Sequence, residues 1–295
     1  MPKLSIITVN YNQAAVTAEL LQSIQAQSFQ DLEVIVVDNA STENPFPLLT
    51  TIYPNLIAVK SEKNVGFAGG NNLGIVASSG EYLFFINNDA EVVEGTIDTL
   101  IDALEAHPKI GIISPKLCYY TPERPQRLIQ YVGTTPIHPL TGRNTTIGQM
   151  ENDLGQYDVM AHPTPYAHGA AMMLPKTVVD RVGEMPEVFF LYYEELDWCE
   201  QIRRAGYEIY VHPYALVYHK ESVSVGPLSL LKTYYINRNR ILFMKRNRST
   251  AEFLLFSSYV FLVMLPFHSF KFLLQAKVQH AKTLWKAVVW NYGFS

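Results

Sequence analysis

The sequence predicts an α/β protein built on a mostly parallel central sheet with flanking helices, and three observations carry that expectation. Up to about residue 115, short β-rich apolar runs alternate with stretches of helical period, the pattern of βαβ units. Several of the apolar runs stop abruptly at polar residues, as strands do where their carboxyl ends face a ligand crevice. The composition fits: 295 residues, 48% apolar and 17% charged, allow one large domain or a domain with an appendage and exclude disordered and fibrous classes.

Strands are expected at 4–9, 32–38, 56–61, 81–87 and 110–116, and helices at 14–27, 69–78 and 94–106. A Pro- and Thr-rich stretch, 121–165, reads as loops or a hairpin insertion, a kind of segment that often faces substrate. Beyond it the sheet is expected to continue. Leu196, Cys199 and Ile202 recur at helical spacing, with Gly206 placed to end the helix, and 207–211 reads as a strand. From 228 to 246 the chain reads as an aromatic, basic helix, and the apolar run 251–265 is broken by Pro266. That run is shorter than the ~20 residues of a membrane span and contains Glu252, so an in-plane helix is expected rather than a crossing.

Charge divides the chain into a body, 1–227, and a tail, 228–295. The body carries 13 Lys and Arg against 26 Asp and Glu, a balance of −13, and the tail 10 against 1, a balance of +9. An anionic cytoplasmic membrane surface suits such a tail; a protein interface, including a homo-oligomer, is the alternative. Nucleic acid is not expected, because the tail is too apolar for a solvated basic arm. Cys118 and Cys199 form neither a disulfide framework nor a CxxC metal pattern, and the amino terminus turns polar at Asn10, too early for a signal peptide. Cytoplasmic localisation, peripheral at the inner face of the membrane, is the expectation.

The most informative motif is Asn87-Asn88-Asp89, directly after the run Tyr82 to Ile86. Amides and a carboxylate are costly to bury unpaired, so the triplet reads as a site whose carboxylate suits Mg²⁺ or Mn²⁺, or as an Asx turn. Tyr11 and Asp38 follow the first two strands and would lie at one sheet edge, one a stacking face and the other an acceptor for a base or ribose; Asp38 also reads as a turn residue. Neither strand precedes GxGxxG or a P-loop, which argues against dinucleotide oxidoreductases and P-loop phosphotransferases. Gly66, Gly69 and Gly70 lie where a strand gives way to a helix, offering free amides for phosphate or hydroxyl groups, or ordinary turns. Glu194, Glu195 and Asp197 start a helix after an aromatic approach, as helix-capping acids or as a general base of raised proton affinity. His219 ends another apolar run, either as a structural hydrogen-bonding residue or as a partner of Asp89 at a divalent metal.

Taken in order, SIITVNYN, VVDNAS, NVGFAGGNN, FINNDA, HGAAMML, YYEELDWC and VYH resemble the inverting, nucleotide-sugar-dependent glycosyltransferases of family 2, of GT-A fold, and in particular the bacterial rhamnosyltransferase branch acting on lipid carriers. The resemblance spans roughly residues 3–246. It implies that Thr8, Asn10, Tyr11, Asp38 and Asn39 hold the nucleoside, and that Asn64, Gly66, Gly69, Asn71, Asn87 and Asn88 line the donor sugar and diphosphate. It further implies that Asp89 and His219 bind the metal, that His168, Gly169, Ala170 and Trp198 face sugar and acceptor, and that Glu195 is the base. The family's common Asp-x-Asp is Asn-Asn-Asp here, leaving one ionised ligand, and Glu replaces the frequent Asp at the base position, which keeps Glu194 and Asp197 as alternatives. The implied donor is a dTDP-sugar, first rhamnose, or a UDP-sugar; the implied acceptor is a saccharide or polyprenyl-linked saccharide. Two other readings are a sugar-phosphate nucleotidyltransferase, which needs a glycine-rich basic loop where Asn10 to Ala14 stands, and a catalytically silent nucleotide-sugar-binding scaffold.

Overall fold

The computed structural model describes residues 2–120, 127–220 and 229–293; the start of the insertion at 121–126 and of the expected tail helix at 228 lie outside them. The first half is a run of β-α crossovers: β1 (Leu4–Asn10), α1 (Ala14–Gln25), β2 (Leu32–Asp38), α2 (Phe46–Ile52), β3 (Ile57–Lys60), α3 (Gly66–Ala77) and β4 (Tyr82–Ile86). β1, β2, β3 and β4 are mutually parallel in the order β3-β2-β1-β4. Strand order therefore reverses between β1 and β4, and a crevice opens at their carboxyl ends. β4 is buried along its whole length, which is why it reads as an unbroken apolar run.

The second half is mixed. β5 (Ala90–Val92), α4 (Thr96–Ala106), β6 (Ile110–Tyr119), β7 (Ile129–Tyr131), β8 (His162–Pro163), β9 (Ala171–Pro175), α5 (Lys176–Val182), α6 (Glu194–Arg204) and β10 (Glu208–His219) follow. β9 enters antiparallel between β4 and β6, and β10 lies parallel to β6 and antiparallel to β5. The runs at 207–211 and 215–218 are one strand, β10, interrupted by an irregularity between His212 and Leu216 where Pro213 cannot donate to a ladder. The insertion is pinned to β6 by Lys116, itself buried, whose Nζ lies 3.0 Å from Asp153 and 2.6 Å from Asp158.

Two apolar cores sandwich the sheet. One packs α1, α2 and α4 on one face; the other packs α3, α5 and α6 on the opposite face. The charge boundary at 228 is not a boundary of packing. α7 (Leu230–Asn247) places Ile241, Phe243 and Met244, all at 0% exposure, in the second core, together with Phe256, Leu284 and Val288 from further along the tail. Its Arg246 holds Asp197 of α6 through Nε–Oδ1 at 3.0 Å.

Pro266 does not break the tail. Helix continues from α8 (Thr250–Tyr259) through a π turn, Val260–Met264, into α9 (Leu265–Leu274), and α10 (Val278–Tyr292) follows. The wider π turn absorbs the missing N–H and the ring clash of a helical proline. The whole helix, 25 residues with an apolar stretch of mean hydropathy 1.7, is long and apolar enough to cross a membrane, and only 22% of that stretch is buried. The expectation of a run too short to cross therefore fails on length.

Candidate active site

The ends of β1 and β2 lie in register, Asn10 beside Asp38. Asn10 Nδ2 donates to Asp38 Oδ1 and to Ser41 Oγ, both at 3.1 Å, and its Oδ1 accepts from Thr17 Oγ1 at 2.8 Å. Asn88 Nδ2 donates to the same Thr17 hydroxyl at 3.0 Å, so one relay ties three strand ends together. Asp38 is 1% exposed and its Oδ2 has no partner. An orphaned carboxylate oxygen is costly unless a donor arrives; a nucleobase N–H suits it. Tyr11, exposed on the loop above, is held by Asn12 N–H donating to Ser41 Oγ at 2.8 Å. Thr8 is fully buried with its hydroxyl unpartnered, and alternation with Ile6 points it to the α1 face.

Asn39 is a clasp rather than an open ligand group. Its Nδ2 donates to Asn64 Oδ1 and Gly66 O, and its Oδ1 accepts from Val65 N–H. The glycine-rich segment likewise departs from expectation, because its amides are taken: Gly66 N–H donates to Asn64 Oδ1 and Phe67 N–H to Phe190 O. The glycines let α3 lie close on its neighbours. A Cβ at Gly70 would stand 2.8 Å from Val9, one at Gly74 2.3 Å from Ile7, and one at Gly69 2.8 Å from Val65. Asn71 is buried, donating to Phe67 O.

At the end of β4 the triplet divides its side chains. Asn88 turns to Thr17, while Asn87 Nδ2 and Asp89 Oδ1 lie 3.3 and 3.1 Å from His219 Nε2. His219 Nδ1 lies 2.9 Å from Gln130 Oε1. With the proton on Nδ1 and donated to that amide oxygen, the Nε2 lone pair faces Asp89, the orientation a metal-binding imidazole needs. A carboxylate oxygen and an imidazole nitrogen this close fit a divalent cation. Among the described residues no cluster of three or more His, Cys, Asp or Glu could hold a metal, so substrate oxygens and water would complete the set, as Mg²⁺ and Mn²⁺ allow.

The ring of His219 meets that of His168 edge-on, centroids 6.2 Å apart, and His168 also meets Tyr131 at 5.2 Å. Burial, with His219 adding to it, pushes the His168 imidazole down to about 3. Nδ1 of this neutral ring accepts Ala170 N–H at 3.1 Å, leaving Nε2–H as a donor. Gly169 comes next, and a Cβ there would stand 3.7 Å from the Glu195 carboxyl carbon. Asp38, Asn88, Asp89, His219, His168 and Glu195 thus follow one another along this edge of the molecule, joined by hydrogen bonds from Asp38 to Asn88 and by ring contact from His219 to His168.

The three acids in the first turn of α6 are not equivalent. Asp197 is 1% exposed, and its oxygens accept from Arg246, Asn247 and Gln201 at 2.6–3.1 Å. Glu194 is 3% exposed with Oε2 unpartnered; burial and Glu195 raise it well above the usual carboxylate range. Glu195 alone is partly open, and burial raises it to about 7. Trp198, expected at the acceptor, is instead core: it is fully buried, edge-on to Phe85, with its indole N–H donating to Gly183 O at 3.0 Å.

Sequence reasoning missed what holds this corner. Phe190, Tyr192 and Tyr193 have φ of 65°, 70° and 75°, three left-handed non-glycine residues just before Glu195, a strain that surrounding structure must impose. α7 imposes it. Asn239 Nδ2 lies 2.7–2.8 Å from the carbonyl oxygens of Phe189, Leu191 and Tyr192, which share its two N–H donors, and Arg238 Nη2 donates to those of Val188 and Phe189 at 2.7 Å. Both side chains are buried. The only signal was a polar Asn in the interior of a helix, where it is a poor helix former. Gln130 carried no signal, since β7 is three residues within an irregular insertion.

Comparison with known proteins agrees with this geometry. The model of glycosyl transferase family 2 matches residues 5–183. The chain is 28% identical over 217 residues to the low-salt glycan biosynthesis hexosyltransferase of Haloferax volcanii, covering 70% of this chain and 63% of that one. It thus spans a little under two thirds of that relative. It is 24% identical over 254 residues to the N-acetylglucosaminyl-diphospho-decaprenol L-rhamnosyltransferase of Mycobacterium tuberculosis, covering 79% and 81%. Among solved structures, the mannosyltransferase of Pyrobaculum calidifontis in complex with GDP-Man and Mn²⁺ superposes with TM-score 0.60 at 19% identity, over 98% of this chain and 75% of that one, which shows a shared GT-A fold. A switch-point crevice, a metal-competent acid–imidazole pair and the family match over more than half its length place the assignment: the chain belongs to glycosyl transferase family 2.

Proposed function

We propose that the protein is an inverting glycosyltransferase that moves a sugar, first rhamnose from dTDP-rhamnose and next a hexose from a UDP-sugar, onto a saccharide or lipid-linked saccharide at the inner face of the cell membrane. One observation carries this reading: a single sheet edge lines up an orphaned acceptor at Asp38, the Asp89–His219 pair and an acid at Glu195 whose proton affinity lies near neutrality. The mycobacterial relative, named for a rhamnosyl transfer to a diphospho-decaprenol, supports the donor and the lipid-linked acceptor.

Tyr11 and Asp38 take the nucleoside, one by stacking and the other by accepting a base N–H. Asp89 and His219 would hold Mg²⁺ or Mn²⁺, which when bound offsets charge developing on the diphosphate. Glu195 takes the proton of the acceptor hydroxyl, and the oxygen attacks the anomeric carbon as its bond to the diphosphate breaks on the far side, inverting configuration. His168 Nε2–H is a neutral donor toward sugar oxygens. Glu195 serves as base because its neighbours cannot: Asp197 is held on both oxygens and Glu194 is sealed. Exposed Leu255, Leu262, Phe267 and Phe270 on α8, the π turn and α9 lie against the membrane. The test is transfer from labelled dTDP-rhamnose and UDP-sugars to membrane-extracted lipid acceptors, with product anomers read by NMR. Retained configuration, or no turnover with any donor, would contradict the proposal.

A further inference from the structure

The tail carries 10 cations and one acid, and that acid is spoken for, because Glu252 accepts from Ser249 Oγ and N–H in a capping box. Four of the ten cations are held by neighbouring acceptors. Arg246 and Arg248 pair with Asp197 and Glu200, Arg238 donates to the loop carbonyls, and Lys245 to Asn291 O. Arg240 and Lys271 have no acid partner among the described residues, and with Arg143 of the insertion both act on His268: burial and the three cations together push its imidazole down. Among the described residues none of Arg143, Arg240 and Lys271 has a salt-bridge partner. Arg240 is 1% exposed, its Nε is orphaned, and its closest side-chain acceptor is Asn237 Oδ1 at 3.3 Å. Gathering like charges without an acid is unfavourable unless an anion joins them.

The cluster is tied to the reaction centre. Gly142, at φ +63°, packs so closely on α7 and α8 that a Cβ there would stand 3.0 Å from Arg240 Cγ and from Phe256 Cε2. Its carbonyl accepts from the Tyr193 hydroxyl at 3.1 Å, and Tyr193 is the residue before Glu194 and two before Glu195. Arg143 opens on an adjoining cleft of about 600 Å³ lined by Thr135, Ile137, His138 and Asn144. On the other side runs the exposed apolar face of α9, with Phe267 at 62% and Phe270 at 63% exposure.

We propose that Arg143, Arg240, His268 and Lys271 seat the phosphate or diphosphate that joins the acceptor saccharide to its lipid. The saccharide then extends past Tyr193 toward Glu195, and the lipid chain leaves over the apolar face of α9. The inference rests on the glycosyl-transfer reading for the identity of the anion, and it leaves out Arg238, which the fold turns inward onto the loop carbonyls.

The experiment is equilibrium binding of farnesyl diphosphate to the full chain in EDTA with saturating UDP, so that the donor site is blocked. Farnesol, inorganic pyrophosphate and vesicles of phosphatidylglycerol in phosphatidylcholine are the other probes. Arg143→Gln with Lys271→Gln, both at exposed residues, should weaken farnesyl diphosphate by about tenfold or more, the worth of charge-assisted contacts, with pyrophosphate binding more weakly and farnesol not at all. Absence of wild-type binding, equal affinity in the double variant, or pyrophosphate binding as tightly as the prenyl diphosphate would overturn the assignment. So would a variant that loses only vesicle binding, which would make the cluster a reader of membrane headgroups. Binding of UDP with Mn²⁺, read in parallel, bears on the donor site alone: its loss would strike the proposed function and leave the cationic seat to its own result.

Discussion

Glu195 holds its proton up to about pH 7 because burial penalises the carboxylate. As a base it must first be ionised, so kcat/KM should climb with pH through about 7 and then level. Glu195→Gln should lower turnover by about a hundredfold or more while leaving UDP or dTDP affinity as it was. A variant that keeps the wild-type rate would remove Glu195 from the role. Its neighbour Glu194 makes a separate prediction. Its proton affinity is higher folded than unfolded, so the folded state binds the extra proton and stability falls as pH rises above the ordinary carboxylate range. Glu194→Gln should therefore raise the melting temperature relative to wild type at pH 8 and leave it little changed at pH 4. A gap of the same size at both would show that ionisation of Glu194 is not the cause.

At the scale of elements, the corner that carries Glu195 is built by α7. Asn239→Ala removes two N–H donors shared among three carbonyls of a loop whose backbone is strained, and at ~1 kcal/mol for each net bond it should cost about 2 kcal/mol and depress kcat more than nucleotide affinity. Urea unfolding and steady-state kinetics measure the two effects. Asp197→Ala leaves Arg246 and Asn247 without their carboxylate; Arg246 is 41% exposed, so the screened ion pair contributes about 1 kcal/mol or less and the lost hydrogen bonds about 1 kcal/mol each; it should read as lost stability, with the pH limb near 7 unmoved.

These elements also mark how far the sequence could be read. β1, β2 and β4 were legible because parallel strands buried on both faces are unbroken apolar runs, and Asp89 and His219 because each is a polar residue closing such a run. α3 was misplaced at its start, since a helix packed through glycines and a glycine-rich phosphate loop have the same composition; only the observed contacts of Gly70 with Val9 and Gly74 with Ile7 separate them. β10 looked like two segments because Pro213 sits at its irregularity. Gln130, Asn239 and the gathering of Arg143 with Arg240 depend on contacts across more than 45 residues of chain, which no local pattern encodes.

For the whole molecule, the acidic body and basic tail are continuous in packing and distinct in surface. Phe256, Leu284 and Val288 belong to the core, so removing the tail would unfold what it covers, and the membrane role is tested on its surface instead. Leu262→Glu with Phe270→Glu, at residues 78% and 63% exposed, should sharply reduce co-sedimentation with anionic vesicles while leaving the melting temperature near wild type; unchanged pelleting would remove the membrane from the account. The central claim is that one crevice gathers nucleoside, metal and base, and calorimetric titration tests it most directly. UDP, dTDP and their sugars are titrated with and without Mn²⁺, into wild type and Asp89→Ala. The account predicts binding that strengthens with Mn²⁺ and loses that metal dependence in Asp89→Ala. Absence of binding by any nucleoside diphosphate, or affinity indifferent both to Mn²⁺ and to Asp89, would contradict it.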